Sequence, residues 1–90
     1  MTERERVLWC AMKYAHAVDD EESTRAVLSE LAPRIIYMSD TALWEMRKAI
    51  GGYLNWTEQR HPKFVSEWTT VLKYIDVERS VRQKKREGGA

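Results

Sequence analysis

The sequence predicts an all-α fold, a small four-helix bundle-like single domain, on three observations. Ninety residues include only four Gly and two Pro, too few breakers to interrupt long regular segments. Apolar residues recur at helical rather than alternating spacing in four separate stretches. Each stretch is also preceded by a residue suited to capping a helix. A chain of this length hides only about 60–65% of its unfolded surface on folding, so its core must be thin.

The first helix is expected from Thr2 to about Val18. Thr2 and Glu5 have the S/T-x-x-E spacing of a capping box, in which the two side chains satisfy free amide donors at the helix start. Residues 7–12 together with Tyr14, Ala15, His16 and Val18 cover most of the circumference and leave a narrow polar wedge around Lys13 and Arg6. A helix apolar on so many sides belongs at the centre of a fold or at an interface.

A second, short helix is expected over 23–32. The acidic run Asp19–Glu22 reads as a solvated connection that also suits a helix N-terminus, with Ser23 as cap. Val27, Leu28 and Leu31 share one side, and Pro33 stops the helix by disfavouring helical geometry at Ala32. Arg34 to Met38 fits either a helical turn or a brief extended segment.

The third helix is expected over 40–58, capped by Ser39 or Asp40, with Leu43, Met46, Ile50, Tyr53, Leu54 and Thr57 as its stripe. Gly51 and Gly52 fall inside it. Each costs roughly 1 kcal/mol relative to alanine, which calls for a kink or for another backbone packed close against the pair.

The fourth helix is expected over 62–84, with Pro62 in the first helical position and His61 as cap. Its main stripe is Val65, Trp68, Leu72 and Ile75, supported by Phe64 and Val71. A second stripe, Thr70, Tyr74, Val77 and Val81, follows another side, and a helix with two apolar stripes requires two neighbours. The domain is taken as 1–82, with 83–90 as a basic, frayed tail.

Net charge is only +1. It is unevenly spread: residues 1–78 carry ten Lys/Arg against thirteen Asp/Glu, whereas residues 79–90 carry five against one. No uncharged run exceeds the nine residues Ala49 to Thr57, far short of the roughly 18 needed to span a bilayer. The opening Met-Thr-Glu-Arg-Glu-Arg is unlike a secretory signal, and a single cysteine forms no intrachain disulfide, so the expected compartment is the reducing cytoplasm.

Catalytic chemistry finds little support. Cys10 and His16 are the natural thiol and base to pair, but six positions apart on one helix they point roughly 120° away from each other. Cys10 is therefore read as a buried structural residue. One Cys and two separated His lack metal-ligand spacing, the acidic run lacks the glycine and spaced oxygens of a calcium loop, and Gly51-Gly52 lacks the strand and Lys-Ser/Thr of a phosphate loop. The expectation is a non-enzyme with no cofactor, no metal and no evident small-molecule substrate.

Binding is better supported. Four Trp and four Tyr are a heavy aromatic load, and aromatics dominate both thin cores and interface hot spots. Trp68 lies on the main stripe and is read as core. Trp44 points off the stripe of its helix toward Lys48 and Gly51, and is read as a contact residue or as the cover for an intrachain neighbour admitted by Gly51. Trp56, at the stripe margin, is left open between core and contact. Thr70, Tyr74, Val77 and Val81 complete the protein-interface candidates. Arg79, Arg82 and Arg86, at i, i+3 and i+7, form a basic edge with Lys84 and Lys85, which suits either phosphate neutralisation or the macrodipole at a helix C-terminus.

Leu31-Ala32, Met38-Ser39, Thr41-Ala42 and Met46 together resemble the helix-turn-helix of bacterial regulators over about twenty residues. The resemblance implies a recognition helix over 40–50 offering Arg47 and Lys48 to DNA. Pro33 within the first segment, the lack of a turn glycine and the position of Thr41 depart from that pattern, and Trp44 and Glu45 are poor major-groove residues. The function expected is that of a small interaction protein that regulates or inhibits a protein partner, of the kind carried by phage or mobile elements, and dimeric. The alternative is a nucleic-acid binder using the basic end and the segment 31–50.

Overall fold

A computed structural model describes residues 1–18, 20–60 and 62–88, of which 56–60, 62 and 63 are described by backbone alone. The chain is a four-helix, all-α protein: α1 (Glu3–Val18), α2 (Glu21–Leu31), α3 (Asp40–Arg60) and α4 (Pro62–Gly88), with a 3-10 segment (Ala32–Tyr37) between α2 and α3. No strand is present among the described residues. None of the helices is long and apolar enough to cross a membrane, among the residues described.

The helix starts follow from local chemistry. Thr2 N–H donates to Glu5 Oε1 at 2.8 Å and Glu5 N–H donates to Thr2 Oγ1 at 3.1 Å, the reciprocal pair of a capping box. α2 begins two residues earlier than expected, because Asp20 rather than Ser23 is the cap: Asp20 Oδ2 accepts from Ser23 N–H at 3.0 Å and from its hydroxyl at 2.6 Å. The Ser23 hydroxyl pulls that carboxyl below its usual pKa, helped by the Ser23 amide. At α3 the cap is Ser39, whose Oγ accepts from Ala42 N–H at 3.2 Å. His61 and Asp19 lie outside the described residues.

Pro33 sits near the start of the 3-10 segment, where its missing N–H removes no needed bond. Arg34 to Tyr37 are thus helical in the tighter 3-10 form, and Met38 turns extended to end it. α4 continues to Gly88, four residues past the expected end, so most of the basic segment is helical.

The core draws on every element: Leu8, Met12 and Ala15 of α1; Val27 and Leu31 of α2; Ile35 and Met38; Leu43, Met46, Ile50 and Tyr53 of α3; Phe64, Trp68, Val71 and Ile75 of α4. α3 packs along α4 and α1 along α2, while the 3-10 segment reaches α4. At 27 residues, α4 is about 40 Å long and accounts for the long axis of a molecule measuring 45 × 26 × 18 Å.

Three expectations are corrected here. α1 is not enclosed: Leu8, Met12 and Ala15 face the core, but Val7, Cys10, Tyr14 and Val18, at i, i+3, i+7 and i+11, are exposed. Cys10 is therefore an exposed thiol, not a buried structural one. α3 runs unbroken through Gly51 and Gly52, and a Cβ added at either would meet nothing within 4 Å. Among the described residues no backbone packs close to the pair.

Buried Glu5 does more than cap its own helix. Its Oε2 accepts the Ser39 amide at 2.6 Å and its Oε1 accepts the Ser39 hydroxyl at 3.0 Å, joining the first turn of α1 to the first turn of α3. Burial pushes this carboxyl up, but the amides and hydroxyls of Ser39 and Thr2 together outweigh it and hold the pKa below the ordinary value.

Candidate interaction surface

Two sides of α4 carry the residues singled out from the sequence, and the bundle treats them differently. The inner side buries Phe64, Trp68, Val71 and Ile75, with Val65 and Leu72 half-buried at its edge. On the outer side Tyr74 is 52% exposed, Val77 54% and Val81 40%. Thr70 is exposed beside them, its hydroxyl donating to Ser66 O at 2.9 Å within the helix. A shallow groove of about 580 Å3 runs along this part of α4, lined by Thr69, Leu72, Val77, Val81 and Lys84 among others. Thr70 and Tyr74 border a separate groove whose other wall is Arg25, Leu28, Ser29 and Ala32, so the second stripe meets α2 along one edge and is otherwise open to solvent.

Beyond Ile75 the inner side changes character. Arg79, Arg82 and Arg86 continue it, and they lie over the N-terminal end of α3 and the 3-10 segment. Arg82 is held on three sides: its Nε donates to Glu78 at 2.8 Å, one amino group donates to Asp40 at 2.9 Å, and the other to the Ile36 carbonyl at 3.2 Å. Burial alone lowers the Arg82 pKa, and Glu78 and Asp40 more than reverse that. Asp40 in turn is drawn below its ordinary value, first by its hydrogen bond from Arg82 and then by the positive charge of Arg86, 3.5 Å away.

Arg79 lies 4.8 Å from the Trp44 ring centroid, with Lys48 Nζ at 5.6 Å. Trp44 is 43% exposed. It covers Arg79 of α4 rather than a neighbour admitted by Gly51, and its guanidinium and ammonium neighbours are cation–π partners. Lys48 also pairs with Glu45 at 3.1 Å, and Arg47 with Asp76 at 2.7 Å. A polar cleft of about 420 Å3 opens here, lined by Arg47, Arg79 and Arg86 together with Asp40 and Asp76.

Lys84 and Lys85 are exposed; at 100° per residue Lys84 lies on the far side of α4 from the three arginines, whereas Lys85, three positions after Arg82, flanks them, so Lys84 is not part of the edge. The side chain of Trp56 lies outside the described residues. The segment 31–50 departs from a helix-turn-helix, since a six-residue 3-10 segment separates α2 from α3 and Arg47 is tied to α4.

At the other end of the bundle His16 stacks on Tyr53, with ring centroids 3.5 Å apart and planes 6° apart, and meets the Trp68 ring edge-on at 4.7 Å. Burial, with a smaller contribution from Lys13, lowers the His16 pKa to about 4. His16 Nε2 and Trp68 Nε1 are buried without a hydrogen-bond partner among the described residues. Half-buried His16 therefore packs its ring on the core residues Tyr53 and Trp68, whereas Cys10 is exposed.

The exposed α1 stripe of Val7, Cys10, Tyr14 and Val18 fits the interface placement open to this helix, although none of its residues is among the interface candidates read from the sequence. Its signal was present in an α1 apolar all round, but nothing local marked which part would face out. No protein-family model matches the chain, and neither a curated protein nor a solved structure is significantly similar to it.

Proposed function

We propose that this is a small, non-enzymatic interaction protein of the reducing cytoplasm that binds another protein chain through the outer side of α4, and so regulates or inhibits it. The observation that carries this reading is the exposure of Tyr74, Val77 and Val81 on a helix whose inner side already fills the core. Exposed apolar residues are common singly, but a row of them along one helix side is the mark of a contact surface. Thr70 extends the row, and Trp44 with Lys48 forms a separate exposed contact nearer the start of α3.

Affinity capture from the native host tests the reading, comparing wild type with Val77→Glu and identifying the retained chains by mass spectrometry. A defined chain retained by the wild type and lost with Val77→Glu is the expected result. Identical retained sets would remove the α4 stripe as the binding surface.

A second reading, nucleic-acid binding, draws on the cleft lined by Arg47, Arg79 and Arg86 and on the helical placement of Lys84 and Lys85. It is the weaker reading, because Arg82 is already committed to three partners and Asp40 and Asp76 sit among the other cations. Binding to DNA or RNA that weakens steeply with salt, and weakens further in Lys84→Ala/Lys85→Ala, would favour it.

A further inference from the structure

We infer that the chain bound by the outer side of α4 is a second copy of this protein, paired with its α4 antiparallel to the first. The inference rests on the proposed role of that side as an interaction surface and names its occupant. Residues 67, 70, 74, 77, 81 and 84 are separated by three or four positions in alternation, the spacing of a coiled-coil seam. Along this seam the centre is apolar, with Tyr74 and Val77, whereas one end is acidic at Glu67 and the other basic at Lys84. Both charged residues are exposed, and neither has an ion-pair partner among the described residues.

That pattern is complementary to itself in one direction only. In a parallel pair every residue meets its own copy, so Glu67 would face Glu67 and Lys84 would face Lys84, with two basic helix ends side by side. Like charges placed opposite each other are destabilising. In an antiparallel pair with Tyr74 opposite Val77 of the second copy, Thr70 falls opposite Val81 and Glu67 opposite Lys84, each contact occurring twice about the two-fold axis. The axis then passes between Ile75 and Asp76, at the middle of α4, so the two helices overlap along their whole length. An interface of this kind is isologous, as two-fold dimers require.

Sedimentation equilibrium on the full chain tests this, with circular dichroism confirming that each variant is folded. The wild type is expected to dimerise and Val77→Glu to sediment as a monomer. Glu67→Lys and Lys84→Glu singly should each raise the dissociation constant roughly tenfold, because each replaces two attractive contacts with two repulsive ones, and the double variant Glu67→Lys/Lys84→Glu should restore it. A parallel dimer would leave the single variants near wild type, and that result overturns the inference, as does a double variant that stays weak. A wild type that remains monomeric at millimolar concentration also overturns it. If Val77→Glu still abolishes capture of a host chain in that case, the interaction surface stands and only its occupant is wrong; if capture is unaffected as well, both fall.

Discussion

On its inner side α4 buries Phe64, Trp68, Val71 and Ile75, while on its outer side Tyr74, Val77 and Val81 stand about half exposed. The residue types are similar and the helical spacing is equally regular. What separates the two sides is coverage: the inner one lies against α3, α2 and the 3-10 segment, whereas the outer one meets α2 only at its edge, where Thr70 and Tyr74 share a groove with Arg25, Leu28 and Ser29, and Tyr74, Val77 and Val81 stay about half exposed. Burial gives the first its stabilising role, since apolar area contributes only when water is removed from it. The second contributes little to the isolated chain and remains available for binding.

Substitutions at equivalent positions on the two sides should break this comparison most sharply. Trp68→Ala is expected to destabilise the fold by about 3–5 kcal/mol, through lost burial and the cavity left behind. Val77→Ala should stay within about 0.5 kcal/mol in the monomer, as exposed substitutions do. Urea denaturation of both at a concentration low enough to avoid association measures the difference. Equal losses would mean that the outer side is covered within the chain.

Arg82 marks where the inner side stops being apolar. Arg82→Ala should cost about 1–2 kcal/mol, because it removes charge-assisted hydrogen bonds to Asp40 and Glu78 and a bond to Ile36 O from a side chain only 21% exposed. Arg86→Ala, by contrast, should be nearly silent, since its pair with Asp40 is long and exposed. Thermal melts of the two variants provide the check.

His16 sharpens the same comparison through pH, because it packs on Trp68. Its folded pKa of about 4 lies below the unfolded value near 6.5. Between those values the unfolded chain binds the proton and the folded one does not, so stability should be intact above pH 6.5 and fall as pH drops toward 4, by about 1–2 kcal/mol once the roughly 3 kcal/mol of the full shift is reduced for solvent screening of the half-buried ring. Replacing His16 with Gln should flatten that slope in denaturation measured between pH 4 and 7. A change of opposite sign is expected at α3: Gly51→Ala and Gly52→Ala should each stabilise by about 0.5–1 kcal/mol, because the added methyl group meets open space and the glycine's extra freedom in the unfolded chain is removed.

Local features were legible where neighbours in sequence are also neighbours in space. The Thr2–Glu5 box, Pro62 at the start of α4 and the stop near Pro33 involve residues within four positions of one another. Cys10 was misread because its apolar company on α1 is real, yet that side of α1 faces out. The cost of Gly51-Gly52 calls for a kink or for close packing, whereas α3 continues through the pair with nothing against it.

From the amino-acid order alone follow the all-α class, the four helices, the two stripes of α4 and the shortness of every uncharged run, because helical periodicity follows from covalent geometry and short-range sterics. Tertiary structure alone decided which stripe became core, which side of α1 stayed in water, and that Arg82 and Glu5 join segments 42 and 34 residues apart. Periodicity says which residues share a side of a helix. What covers that side depends on the packing of helices distant in sequence, and no local pattern encodes that.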